Sequence, residues 1–254
     1  MRRCLAAGGA LRPDWGAWDR GAKPPLQSIP MKRLPAFLVI LALGATASAA
    51  PFLSVNPLDL PALLPPPPAV GSPAALAELD TVLQAQTART PAQAARCVQI
   101  EHETIWLFGA DVLGPWFTAA HLPKTAAFFA AVRDDFISVN RAAKALHPRQ
   151  RPPFADPRIK PCVEFADTGS YPSGHGIQSS LWAALLAEIL PNHAAGFDQR
   201  AGETRHYKLL SGVHYPSDLA AGQALGEALA RALLKNPEVQ KTIAELRAET
   251  AAYR

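Results

Sequence analysis

Apolar residues in this chain recur at three- and four-residue spacings, and nowhere do they alternate over a run long enough for a half-buried strand. Alanine and leucine, both strong helix formers, dominate the periodic segments. Two segments carry explicit start signals. Thr90-Pro91-Ala92-Gln93 reads as an N-cap, a proline at the first helical position and a capping-box glutamine, opening a helix to about Phe108. Asn236-Pro237 repeats the cap-plus-proline start. Further helices are expected over about Ala74–Gln86, Thr125–Leu146, Gly174–Leu190, His193–Leu210 and Pro216–Leu234. In the longest of them Phe128, Phe129, Val132, Phe136 and Val139 share one face. Pro148, Pro152, Pro153, Pro157 and Pro161 keep the stretch after it irregular. The expected fold is all-α, a single-domain helical bundle.

The first fifth of the chain reads differently. Residues 1–30 have no period and are expected to be an upstream extension from a misassigned start. Residues 31–49 read as a signal peptide: Met31-Lys32-Arg33 is basic, Leu34 to Gly44 is apolar apart from Pro35, and Ala47-Ser48-Ala49 supplies small residues for cleavage. The apolar run is too short for a bilayer, which needs about 20 residues, so no stable membrane insertion is expected. Residues 50–73, with the run Pro65 to Pro68, read as an extended proline-rich arm. The expected location is the periplasm or the exterior of the cell.

Removing the leader changes the charge balance. Residues 1–49 hold seven of the 25 basic and two of the 21 acidic residues, which leaves 18 against 19. The basic character therefore belongs to the leader, and no argument for a nucleic-acid or anionic-membrane partner survives it. Cys97 and Cys162 remain in the exported part, either as a disulfide or as two buried thiols.

Three short segments carry chemistry. Lys144 and Arg151 are two cations of different shape, a point charge and a fork able to hold two phosphate oxygens. Gly169-Ser170-Tyr171-Pro172-Ser173-Gly174-His175 leads into an apolar helix, so Ser173 and the Gly174 amide would offer donors at a helix N-terminus with His175 beside them. His214 and Asp218 lie four apart, where a helical turn puts a carboxylate against an imidazole and fixes its tautomer. Each segment alone also reads as ordinary helix-end chemistry. Two other clusters read as inert: Glu101-His102-Glu103 lacks the second histidine of a zinc helix because position 106 is Trp106, and Asp134-Asp135 reads as a solvated face.

In this order, Lys-x6-Arg-Pro, Pro-Ser-Gly-His and His-x3-Asp resemble the signature of the type 2 phosphatidic acid phosphatase superfamily, and within it the bacterial class A non-specific acid phosphatases. Phe108 to Pro115 is similar to that family's segment before the site, and the likeness runs from about Thr90 to Leu234. The resemblance implies that residues 74–254 form an acid phosphatase domain acting on small phosphomonoesters without a metal or other cofactor. His214 would be the nucleophile, Asp218 its orienting carboxylate and His175 the proton donor. Lys144, Arg151, Ser173 and Gly174 would hold the phosphate. The family's arginine six residues before the nucleophile is here Lys208, and Arg205 is the alternative occupant of that position. A vanadate-dependent haloperoxidase-like enzyme is the runner-up reading, opposed by the short mature chain. An exported helical phosphate-binding protein with a decayed site is the third, supported by the missing arginine.

Overall fold

In a computed structural model describing residues 52, 53 and 58–253, every regular element is helical. In chain order these are α1 (Leu60–Leu63), α2 (Pro73–Ala88), α3 (Pro91–Glu101), α4 (Ile105–Leu113), α5 (Pro123–Leu146), α6 (Pro152–Ala155), α7 (Gly174–Ile189), α8 (Ala194–Leu210), α9 (Pro216–Leu234) and α10 (Pro237–Ala251), with a 3-10 turn at Pro191–His193. The fold is all-α, and no strand occurs among the described residues. The expected signal peptide and upstream extension fall on residues outside those described. No helix among the described residues is long and apolar enough to cross a membrane.

The sequence of α7 explains its place. It is apolar nearly all round, and such a helix is stable only when surrounded. Ile177, Leu181, Leu185, Leu186 and Ile189 are fully buried, each contributing roughly 1.5–3 kcal/mol of burial. Helices α8 and α9 pack closest to it, with α5 and α10 also against it. Start signals hold where they are local. Thr90 and Gln93 exchange the expected capping bonds, and Asn236 accepts from Glu238 N–H at 2.9 Å.

Three expectations need correction. The helix from Thr90 stops at Glu101, and a second starts at Ile105 after the Thr104 hydroxyl caps Leu107 N–H. The break lets Glu101 and Glu103 reach different partners on α8. The proline-rich stretch contains a turn of helix, α1, whose Leu60 is buried, while Pro65 accepts a 2.6 Å bond from the Tyr171 hydroxyl. Asp135 is buried rather than solvated, because it accepts the Phe52 and Leu53 amides at 3.0 and 3.1 Å.

The contact that positions the site is the crossing of α7 and α9. A Cβ at Gly226 would lie 2.3 Å from the Ile177 carbonyl oxygen, and one at Gly222 would lie 2.7 Å from that of Ser173. Only glycine permits this approach, which lets Ser173 N–H donate to the Asp218 carbonyl at 2.9 Å. Gly226→Ala should therefore force the helices apart and cost about 1–3 kcal/mol. Urea unfolding should show a lower midpoint with an unchanged slope. A midpoint equal to that of the wild type would contradict the close packing.

Candidate active site

Two helix starts and one irregular stretch converge. Gly212, with φ of +79°, ends α8 in a left-handed turn, and the chain passes through His214 into α9. Asp218, in the first turn of α9, caps it by accepting Tyr215 N–H at 2.9 Å on Oδ2. The same oxygen accepts from His214 Nδ1 at 3.3 Å. On the other side of the ring, Arg151 NH1 lies 3.2 Å from His214 Nε2. A guanidinium can only donate, so Nε2 carries the lone pair and Nδ1 carries the proton. The tautomer is thus set from both sides.

Burial is the main cause that drops the His214 ring to about 3, with Arg151 and Lys208 adding to it and Asp218 opposing. The imidazole stays neutral through the acid range. Burial alone would raise the Asp218 carboxyl, but His214, Arg149 and the Tyr215 amide outweigh it and hold the group below its usual value.

Arg151 stands at the N-cap position of the short helix α6, and its guanidinium is fixed by the Thr168 and Val213 carbonyls at 3.0 and 3.1 Å. Lys144, in the last turn of α5, donates to the Gly169 and Pro172 carbonyls at 2.7 and 3.0 Å, pinning the loop that contains the cis Tyr171-Pro172 peptide. Burial first, then Arg151, lowers the Lys144 ammonium to about 8, while Asp218 opposes. Ser173 caps α7, its Oγ accepting Gly176 N–H at 3.2 Å. That leaves its hydroxyl proton, and the Gly174 and His175 amides in the first turn of α7, for an anion. His175 Nε2 lies 3.3 Å from the Glu101 carbonyl oxygen, which only accepts, so the neutral ring is protonated on Nε2. Burial, reinforced by Lys208 and His214, brings His175 to about 3.

The structure separates the two alternatives on α8. Lys208 is 2 % exposed and turned inward, within electrostatic reach of Arg151, His175 and His214. Arg205 points elsewhere, donating to Ser180 Oγ at 3.0 Å near Asp198 and Glu227. It does not join the cluster. Cys97 and Cys162 are both free, and the buried Cys97 thiol donates to the Tyr207 carbonyl at 3.3 Å.

Sequence reading missed four residues. Arg149 donates to Asp218 Oδ1 at 2.7 Å, to Ser217 Oγ at 2.9 Å and to Glu78 Oε2 at 2.6 Å, with its guanidinium 3.7 Å over the Tyr215 ring. Glu78, from α2, also accepts Ser217 N–H at 2.7 Å. Glu101 pairs with Lys208. Asn140 on α5 faces Gly174 and keeps a buried Oδ1 without a partner. The one sequence signal was Arg149 standing two residues from Arg151; the others declare themselves only in three dimensions. Glu101 and Glu103, two apart in sequence, part company: Glu103 pairs with Arg200 and accepts from Thr204 at 2.9 Å.

The chain is similar in sequence to known proteins. The PAP2 superfamily matches residues 125–240. The non-specific acid phosphatase of Providencia stuartii is 26 % identical over 248 residues, covering 87 % of this chain and 98 % of that one. Its namesake from Salmonella typhi is 28 % identical over 203 residues, covering 73 % and 78 %. The acid phosphatase of Zymomonas mobilis subsp. mobilis is 30 % identical over 168 residues, covering 63 % of each chain. Lys144, Arg151, Ser173, His175, Lys208, His214 and Asp218 all fall inside the matched span.

Proposed function

We propose that this chain is an exported acid phosphatase that hydrolyses phosphomonoesters through a phosphohistidine at His214. The acid phosphatases among its relatives support phosphatase activity. The observation that carries the mechanism is the His214 ring, with Nδ1–H on Asp218 and the bare Nε2 turned to Arg151. Export rests on the segment from Met31 to Ala49.

The phosphate of a bound ester lies between Arg151, Lys144, Lys208 and the N-terminus of α7. The Nε2 lone pair attacks phosphorus, the bond from phosphorus to the ester oxygen breaks, and the departing oxygen takes a proton from the His175 imidazolium. Asp218 stays ionised and, through the Nδ1–H bond, stabilises the positive charge that develops on the His214 ring. Water then attacks phosphorus and gives a proton back to His175; the P–N bond breaks and its electron pair returns to Nε2. His175 is neutral in the empty site, and the charge of a bound phosphate raises its affinity for the proton it must donate. Lys144, Arg151, Lys208, Ser173 and the Gly174 amide stabilise the charge of the in-flight phosphoryl group, a task that needs no metal ion.

Denaturing with detergent at alkaline pH during turnover of p-nitrophenyl phosphate should trap a base-stable, acid-labile phosphoprotein, with or without EDTA, and His214→Ala should abolish it. His175→Ala should still be trapped with this good leaving group while losing alkyl phosphates. Trapping that persists in His214→Ala would refute the assignment.

A lysine is charged below its pKa, so the Lys144 cation is present at acid and neutral pH and is lost above about 8. The free-enzyme parameter kcat/KM should fall through that region. An alkaline limb unmoved by Lys144→Arg would remove Lys144 from the phosphate site.

Lys208→Ala should cost on the order of 2–4 kcal/mol in kcat/KM, the scale of one preorganised donor. Arg205→Ala should cost little, and the reverse ranking would show that Arg205 swings in. A folded protein that binds phosphate but never hydrolyses it would favour the decayed-site reading.

A further inference from the structure

The last residue of α3 meets the proposed site twice. The Glu101 carbonyl oxygen accepts from His175 Nε2, and its carboxylate pairs with the buried Lys208 ammonium. The second contact has two opposed effects. A carboxylate stabilises an ammonium that would otherwise be buried alone. It also places a negative charge against an anion-binding cluster, within electrostatic reach of His175 and Arg151 as well as Lys208.

We propose that Glu101 is a positioning residue that holds Lys208 in the empty site and competes with a bound phosphate for it, so that anion binding is coupled to protonation of the Glu101 carboxyl. The inference deepens the phosphatase reading and takes from it the position of the phosphate. It does not depend on turnover.

The charges around Glu101 decide the direction. Burial alone would raise its carboxyl, but Lys208 from α8, His175 from α7 and Arg151 from the stretch before α6 together hold it below the usual carboxylate value. The group is therefore ionised in the empty site at all but strongly acid pH. A bound dianion draws Lys208 to itself and repels the carboxylate, so the pKa of Glu101 rises on binding. Between its empty and bound pKa values, anion affinity falls by up to about tenfold for each unit of rising pH. Lys208 also faces Cys97 and His214. His175, His214 and Lys144 add pH dependences of their own. All of these groups remain in a Glu101→Gln variant, and only the carboxylate contribution disappears.

Sulfate is a suitable probe because it stays a dianion across this range. Its binding to the mature protein, measured by titration calorimetry from about pH 4 to pH 7.5, should be about tenfold tighter in Glu101→Gln near neutrality. The gap should close toward acid. In buffers of different ionisation heat, the wild type should take up more protons per sulfate than the variant. If Lys208, left unpaired, prevents Glu101→Gln from folding, Glu101→Asp draws the carboxylate back by one methylene and should show a smaller tightening in the same direction. Equal or weaker sulfate binding by a folded variant at every pH, with unchanged proton uptake, would overturn the proposal. Hydrolysis of p-nitrophenyl phosphate by the wild type, measured in parallel, separates the two readings. A pH-dependent gap without hydrolysis would keep the coupling and remove the phosphatase, whereas hydrolysis without a gap would remove the coupling alone.

Discussion

Buried positive charge governs this structure. Among the described residues, four cations, Arg149, Arg151, Arg200 and Lys208, have nearly all of their side chains out of solvent. An isolated ion so placed costs several kcal/mol, which can be offset only by partners of good geometry. The partners come from distant helices. Arg149 joins Glu78 of α2 to Asp218 of α9, Lys208 of α8 reaches Glu101 of α3, and Arg200 of α8 reaches Glu103 and, at 2.8 Å, Asp111 of α4. The apolar surface of α7 gathers the bundle, and these pairs fix the orientation of the helices that surround it. Arg151 is the exception, because its hydrogen-bond partners are two carbonyl oxygens, the Thr168 hydroxyl and a neutral imidazole. A cation hydrogen-bonded only to neutral groups is the one most able to gain from an arriving anion.

Parts of this were legible in sequence because their determinants are local. A capping box needs residues three apart, so Thr90 and Gln93 declare their helix, and Asn236 declares the next by the same logic. His214 and Asp218 are four apart at a helix start, so their contact follows from helical geometry. The overall all-α character follows from periodicity that no strand can use.

Other features depended on partners about a hundred residues away. Apolar spacing runs through positions 100, 105 and 108 as if one helix continued, and the break at 102–104 is explained by Glu101 and Glu103 serving different cations. Asp135 follows a second aspartate on a polar face, yet two amides near residue 52 bury it. Positions 205 and 208 lie within 60° of each other on a helix, on the order of one side-chain width. Helical phase cannot choose between them. Their neighbours do: Glu101 lies beside one, while Ser180 lies beside the other.

The two histidines show how similar groups can take opposite roles. In the empty site both are held to about 3, chiefly by burial. On His214 both nitrogens are committed, Nδ1–H to a carboxylate and Nε2 to an arginine donor, so protonating Nε2 would set two cationic donors against each other. His175 has committed only Nε2–H, to a neutral carbonyl, which leaves Nδ1 for a ligand. A phosphate dianion arriving between them raises the proton affinity of both rings, but only His175 can accept a proton without displacing an existing donor. On the proposed reading, the division into nucleophile and acid therefore comes from the hydrogen-bond partners of each ring and not from any difference in intrinsic basicity.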